Sequence, residues 1–305
     1  MTVMRLAHVV LFALPLALAS TGAAADCPPA NPAAIQEANE GDTLKKTNLD
    51  GAIEKYKHAH ELAPTEHRIL WKLALAYARK EDWAEVDRTL AQTIPLAPKN
   101  ATYVMTRGIA LARLQKWSDA RPLLEQATVL DPNLPDAHYE LAEVALRLGD
   151  EKRALVEYTK AIPLAPADAV FYASLADLYM RLGFNDQAEK VLFAGEAAVP
   201  EEAKKFALYS LHGDILDQKG DMPGAVTAYE KAKKACGPCN ERGQQVAFFN
   251  LGAAYASLKP PRKSEAMAQL QAFQKMICKG AGAARYADQC TQAQVIAVKL
   301  GGTLQ

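Results

Sequence analysis

Neither sign of charge dominates this chain: Lys plus Arg and Asp plus Glu each total 35 in 305 residues. A balanced chain has no net field to draw in nucleic acid or an anionic membrane, so neither is expected as a partner. Aromatic residues make up 7%, and glycine and proline number 17 each, too few for a collagen-like or low-complexity chain. Beyond residue 25 no run approaches the roughly 18 apolar residues that a spanning helix needs. Runs of β-branched residues are scarce and alanine is abundant, which favours helix. The metal pattern HExxH, the nucleophile elbow GxSxG, a phosphate loop and a Rossmann glycine pattern are all missing. His58 and His60 are two apart and so share no helix face, and His138 reads as a packed residue. No enzyme, cofactor or metal is therefore expected. At 50% hydrophobic and 23% charged, the chain is nonetheless globular rather than disordered.

Residues 1–25 read MTVMRLAHVVLFALPLALASTGAAA. Arg5 gives a positive start, and Val9 to Ala19 is an apolar stretch of 11 residues, too short to span a bilayer. Ala23, Ala24 and Ala25 supply small residues at a cleavage point before Asp26, so the segment reads as a secretory signal peptide. Its removal takes Arg5 and leaves 34 basic against 35 acidic residues, a net charge of −1. Cys27 raises the idea of a lipid anchor, but the residue before it is Asp26 rather than a small one.

What the chain does have is a beat. Pro64, Pro98, Pro132, Pro166 and Pro200 are spaced by 34 throughout, a regularity to be sought before any local structure. Twelve residues before each proline stand Ala52, Val86, Ala120, Ala154 and Ala188. Four residues later come Tyr56, Leu90, Leu124, Tyr158 and Leu192, and three later Ala59, Thr93, Ala127, Ala161 and Gly195. Offsets of 0, +4 and +7 trace one face of a helix. An earlier stripe in each unit has the same period: His138, Leu141, Ala142 and Ala145, or Tyr172, Leu175, Ala176 and Tyr179. In the third unit Arg107 breaks the apolar rule. Gly149-Asp150, Gly183 and Gly220-Asp221 separate the stripes, so each unit reads as helix, tight turn, helix, closed by proline.

This pattern resembles the tetratricopeptide-repeat family, over residues 33–277. The resemblance implies an all-α, right-handed α-solenoid of about seven helix-turn-helix repeats, in which no hairpin buries its apolar face without a neighbour. The sixth unit arrives three residues late, with the extra length near Glu201–Lys205. The seventh departs at Lys259-Pro260-Pro261-Arg262. The first looks degenerate, with Asn39 and Glu40 where the stripe wants Leu and Gly. The expected organisation is a signal peptide over 1–25, a leader over 26–32, the solenoid over 33–277 and a capping helix with tail over 278–305.

In this family the first helix of each unit lines the concave surface. One groove position falls at Lys45, Arg79, Arg113, Arg147 and Arg181, 34 apart, which would stack as a basic ladder. A basic residue near a helix end also complements the macrodipole and aids solubility, so the ladder has a plainer reading. Four residues earlier stand Glu143 and Asp177, local partners for Arg147 and Arg181. Leu75 and Ile109 precede Arg79 and Arg113, which should leave those guanidinium groups free. With Trp71, Met105 and Tyr139 as further groove residues, the first half reads as apolar and the second as acidic, with Glu140, Glu143, Asp177, Asp214 and Asp217. The expectation is a partner polypeptide segment carrying an apolar anchor and a carboxylate for the Trp71–Arg113 region. Some family members clamp chaperone C-termini with Lys and Asn; the matching positions here are Trp71, Leu75, Thr106, Asp136 and Glu140, so that function is not implied.

Of five cysteines, Cys236 and Cys239 form CGPC, and Cys278 and Cys290 lie late in the chain. CGPC is the spelling of the thioredoxin site, but here it follows a helix end, whose dipole disfavours a thiolate, and no βαβ pattern surrounds it. In an exported protein disulfides are expected, pinning the irregular C-terminal end, and a Cys278–Cys290 bridge would tie the cap to the seventh unit. The functional expectation is a non-enzymatic protein-binding scaffold for a cell-envelope complex, in the periplasm of a Gram-negative cell. The alternatives are a redox module using CGPC, or a small apolar or glycan ligand held around Trp71 and Met105.

Overall fold

The computed structural model describes residues 31–241, 243–280 and 283–304. The leader and Cys27 lie outside the described residues. Among those described, every regular element is helical, and they fall in two compact units, one ending at Pro64 and the other beginning at Thr65.

The first unit is a single hairpin of α1 (Pro32–Leu44) and α2 (Leu49–Leu62). Asn31 caps α1 through the amide of Ala33 and also donates to the Leu62 carbonyl at 2.9 Å, tying the two ends of the hairpin together. Ala34, Ala38 and Gly41 are buried against Ala52, Ile53, Tyr56 and Ala59. The first repeat is not degenerate in the way its sequence suggests. Gly41, one residue later than expected, is the close-approach position: a Cβ there would lie 2.6 Å from the Tyr56 ring. Gly41 stands 15 residues before Tyr56, whereas Gly108 and Gly213 stand 16 before Leu124 and Tyr229, which moves the frame by one. Lys55 bridges Glu37 and Glu40 across the hairpin at 3.0 and 2.6 Å.

The second unit repeats the hairpin six times and then caps it. The pairs are α3 (His67–Arg79) with α4 (Trp83–Thr93), α5 (Ala101–Arg113) with α6 (Trp117–Leu130), and α7 (Pro135–Arg147) with α8 (Glu151–Leu164). They continue with α9 (Ala169–Arg181) and α10 (Asn185–Ala198), α11 (Phe206–Gln218) and α12 (Met222–Cys236), and α13 (Val246–Ser257) and α14 (Lys263–Phe273). Each second helix packs on the first helix of the next pair, so the array is an α-solenoid. First helices of neighbouring pairs also touch, α5 with α7 and α9 with α11, and line its inner side.

The sequence stripe is the core. Val86, Ala120, Ala154 and Ala188 are fully buried, as are Leu90, Leu124 and Leu192 four residues on. Alanine at the first of these positions lets helices close in, and the larger residue fills the gap left beside it. The prolines at 98, 132, 166 and 200 all stand just past a second helix, where a missing amide costs nothing. Three of the second helices begin on acidic caps, with Asp82, Asp150 and Asp221 accepting from Glu85, Arg153 and Gly224 amides. The turn before each cap needs a left-handed residue. Gly149, Gly183 and Gly220 supply it at φ of 78, 79 and 80°, but Glu81 and Gln115 take the same conformation at 60 and 61°, without glycine's freedom.

Polar residues on the core stripe are paired. Arg107 reaches Asp87 on α4 at 2.7 Å. His138 is buried; its Nδ1 meets Glu157 at 2.6 Å and its Nε2 meets the Pro132 carbonyl at 3.0 Å. Glu157, fully buried, also receives Lys160 at 2.9 Å and Arg153 at 3.1 Å. Burial alone would raise the Glu157 carboxyl; the bonds from His138 and Lys160 outweigh it and hold the carboxyl below its ordinary range.

The extra length near residue 201 is a short 3-10 turn, Glu202–Lys205. After α14 the chain makes one π turn, Gln274–Cys278, and returns as α15 (Ala287–Lys299). Phe249, Leu270, Phe273 and Ile277 pack with Ala293, Ala297 and Leu304 beneath this cap. Cys278 and Cys290 are joined by a disulfide, and Cys236 is joined to Cys239 at the end of α12.

Candidate binding groove

On four of the first helices the expected groove positions recur four residues apart. They are Trp71, Leu75 and Arg79 on α3; Met105, Ile109 and Arg113 on α5; Tyr139, Glu143 and Arg147 on α7; and Ala173, Asp177 and Arg181 on α9. The first of these turns inward on all the early helices. Trp71 is half-buried against Tyr103, with ring centroids 4.8 Å apart. Met105 is buried, contrary to its expected place on the groove wall, because it joins the core formed by Val104, Leu124 and Leu141. Tyr139 stacks on Phe171 at 5.1 Å. Ile109 is half-buried on the same core as Met105, and Leu75 is exposed.

The basic ladder is not a row of equivalent charges. Arg113 is not free: it donates to Glu140 on α7 at 3.1 Å. Burial pushes the Glu140 carboxyl above its ordinary range, and the Arg113 charge opposes that rise. Arg181 pairs with Asp177 at 3.2 Å along its own helix, as the spacing suggests, with both side chains about half exposed. Arg147 does not take Glu143. Its guanidinium lies 5.6 Å from the Trp117 ring centroid, and it has no carboxylate within ion-pair distance among the described residues. Arg79 also lacks one and is exposed. Lys45, in the first unit, pairs with Asp42 at 3.0 Å.

Glu143 is engaged from below by the hydroxyl of Tyr158. The same bond recurs where Tyr229 donates to Asp214 at 2.7 Å and Tyr56 to Asp42 at 2.9 Å. A tyrosine on the second helix is thus matched in three hairpins by a carboxylate on the first. Burial raises the Tyr139 hydroxyl to about 12, and burial with the adjoining carboxylate raises Tyr158 and Tyr229 further. Glu143 and Asp214, expected as groove charges, are instead engaged by these tyrosines. The co-occurrence of tyrosine and acid at fixed positions was the signal available.

Between α7, α9 and α11 the inner wall opens into a hollow of about 550 Å³. Glu143, Leu146 and Arg147 line it from α7, Ser174, Asp177 and Arg181 from α9. Phe206, Ala207, Ser210 and Leu211 line it from α11, with Tyr158 beneath. The Trp71 ring, by contrast, is taken up by Tyr103.

The CGPC cysteines sit at the C-terminal end of α12, with Cys239 fully buried and Cys236 nearly so. This is the opposite helix end from the one that favours a thiolate. Among the described residues no group of three His, Cys, Asp or Glu could hold a metal ion. No helix there is long and apolar enough to cross a membrane.

The family profile described as tetratricopeptide repeat matches residues 105–169, which span α5 to the start of α9. The helical hairpins form a solenoid of the tetratricopeptide-repeat kind, a fold consistent with a protein–protein interaction scaffold. It is 29% identical over 142 residues to BBSome complex member BBS4 of Xenopus tropicalis, covering 45% of this chain and 28% of that protein. It is 26% identical over 200 residues to protein O-mannosyl-transferase TMTC3 of Homo sapiens, covering 65% of this chain and 20% of that protein. The chain therefore spans only about a quarter of the length of these relatives. Among solved structures, MamA protein superposes with a TM-score of 0.52 at 25% identity, over 56% of this chain and 94% of that one. Cut9 with Hcn1, from the APC/C, gives 0.58 at 19% identity over 85% of this chain and 48% of that one, a likeness of fold alone.

Proposed function

We propose that this protein is an exported, non-catalytic adaptor that holds a segment of a partner polypeptide on the inner wall of its solenoid, at the hollow between α7, α9 and α11. The observation that carries the reading is the hollow itself. It lies on the face lined by first helices, is walled by apolar and charged side chains together, and is open to a chain laid across three repeats. A rigid wall of this kind presents its groups without ordering cost on binding. The site lies two hairpins further along than Trp71 and Arg113, since Trp71 is stacked, Met105 is buried and Arg113 is neutralised by Glu140. The leader over residues 1–25 and the two disulfides favour an oxidising compartment, and we place the protein in the periplasm, serving a cell-envelope complex.

The test is in-cell photo-crosslinking with a photo-reactive phenylalanine in place of Arg181, on the exposed rim of the hollow, and at Val129, the most exposed of the large apolar residues among those described, as the control. A discrete polypeptide captured from position 181 and absent from position 129 is the expected result. Equal labelling at both sites, or none at 181, removes the proposal.

A further inference from the structure

The hollow has a cause in the sequence, and the cause says what fills it. Three residues before the small residue of each first helix, four hairpins place a large side chain: Trp71, Met105, Tyr139 and Phe249. Each is spent on packing within the wall, Trp71 on Tyr103, Tyr139 on Phe171, and Phe249 on Phe273 at 5.5 Å. The two hairpins between Tyr139 and Phe249 hold Ala173 and Ser210 instead. The hollow lies where those two side chains are short, so it is a gap in an otherwise paved wall, with Phe206 along its edge.

The charges around the gap are unequal in their commitments. Asp177 and Arg181 satisfy each other. Glu143 accepts from the Tyr158 hydroxyl. Arg147 alone among the lining charges has neither an ion-pair partner nor a hydrogen bond to a side chain among the described residues. Lying over Trp117, its planar guanidinium keeps its donor edge available, the geometry that receives a carboxylate through two parallel bonds.

From the reading of this hollow as a polypeptide site, on which the inference rests, we propose that the partner segment is acidic and aromatic: it inserts one aromatic side chain into the gap left by Ala173 and Ser210 and sets an adjacent Asp or Glu on Arg147. The ring completes the missing paving, where an aromatic contributes large buried area at small entropy cost. The carboxylate fixes register on the uncommitted cation of the hollow.

The test uses fluorescent dodecapeptides and the full mature chain, read by anisotropy. The peptides carry Trp, Phe, Leu or Ala at the centre and Asp, Asn or Lys beside it. Aromatic peptides with Asp should bind, and replacing the ring with Ala or the Asp with Lys should weaken binding about thirtyfold, the loss expected for a hot-spot side chain. Ala173→Phe and Ser210→Phe each fill the gap from the protein side and should abolish retention while the helical circular dichroism signal stays that of the parent. Arg147→Ala should erase the preference for Asp over Asn yet keep that for a ring over Ala. A preference for Lys, indifference to both filled variants, or retention of no peptide overturns the inference. A polypeptide of other composition crosslinked at position 181 would leave the adaptor reading standing and this one refuted.

Discussion

Replacing Glu157 is the sharpest probe of how the solenoid holds together. Its carboxylate, 1% exposed, sits between His138, Lys160 and Arg153. The three partners are not equal. Lys160 and Arg153 are 51 and 38% exposed, so water replaces the carboxylate once it is gone, and each contributes at most the ~0–1 kcal/mol of a surface pair. His138 is 6% exposed and would be left with a buried nitrogen unpaired, at a cost of about 1–3 kcal/mol. Glu157→Ala should therefore destabilise by about 3 kcal/mol, near the lower end for breaking a buried pair. Glu157→Gln keeps an acceptor for His138 and should cost about half as much. Replacing His138 and Glu157 together with leucine removes both polar groups and should recover most of the loss. The sign with pH follows from the lowered Glu157 carboxyl. Its contribution is complete above the unfolded carboxylate pKa and disappears as pH falls through the lower folded value, so the gap between parent and Glu157→Gln should close in acid. Urea denaturation at several pH values, with hydrogen exchange to localise the effect to α7 and α8, measures all of this. A Glu157→Ala chain within about 0.5 kcal/mol of the parent, or a double leucine variant no better than the single alanine, would refute the reasoning.

Gln115→Gly should stabilise by about 1 kcal/mol, because it relieves a left-handed residue that lacks glycine's freedom, and Gly149→Ala should cost a similar amount; thermal melts of both decide it. Asp214 is raised by burial, with Tyr229 opposing the rise. The ionised parent thus loses stability as pH rises between the unfolded and folded pKa, so Asp214→Asn should melt higher than the parent at neutral pH and match it in acid. The mature chain, unfolded without reductant, should titrate one free thiol, that of Cys27, since the other four are bridged; a count near five ends the disulfide assignment.

The repeat and its buried face were legible because they are local. Ala120, Leu124 and Ala127 announce a helix face by spacing alone, and all three are fully buried. What the sequence hid is non-local or conformational. Glu140 meets Arg113 from 27 residues away across a hairpin boundary, a distance no same-helix rule detects. Gly41 falls one position outside the 34-residue frame because it precedes its partner Tyr56 by 15 residues, where Gly108 and Gly213 precede theirs by 16. Glu81 and Gln115 occupy left-handed turns that composition would assign to glycine. The groove was read by position, but position does not say whether a side chain turns into the wall. Met105 does so and Leu75 does not, because Met105 has Leu124 and Leu141 to pack on. The gap at Ala173 and Ser210 is visible in the alignment of repeats once the paving residues beside it are recognised.

The bridge between Cys278 and Cys290 has a consequence for how the second unit comes apart. In a one-dimensional array each hairpin is held by its neighbours, and unravelling ordinarily starts at whichever terminus frays. Here the terminal helix is stitched to the turn before it, so peeling from the carboxyl-terminal side must first lift a covalently closed ring off Phe273 and Ile277. Disassembly of the array is thereby given a direction, and a protease or pulling force applied at that end meets the last part to yield.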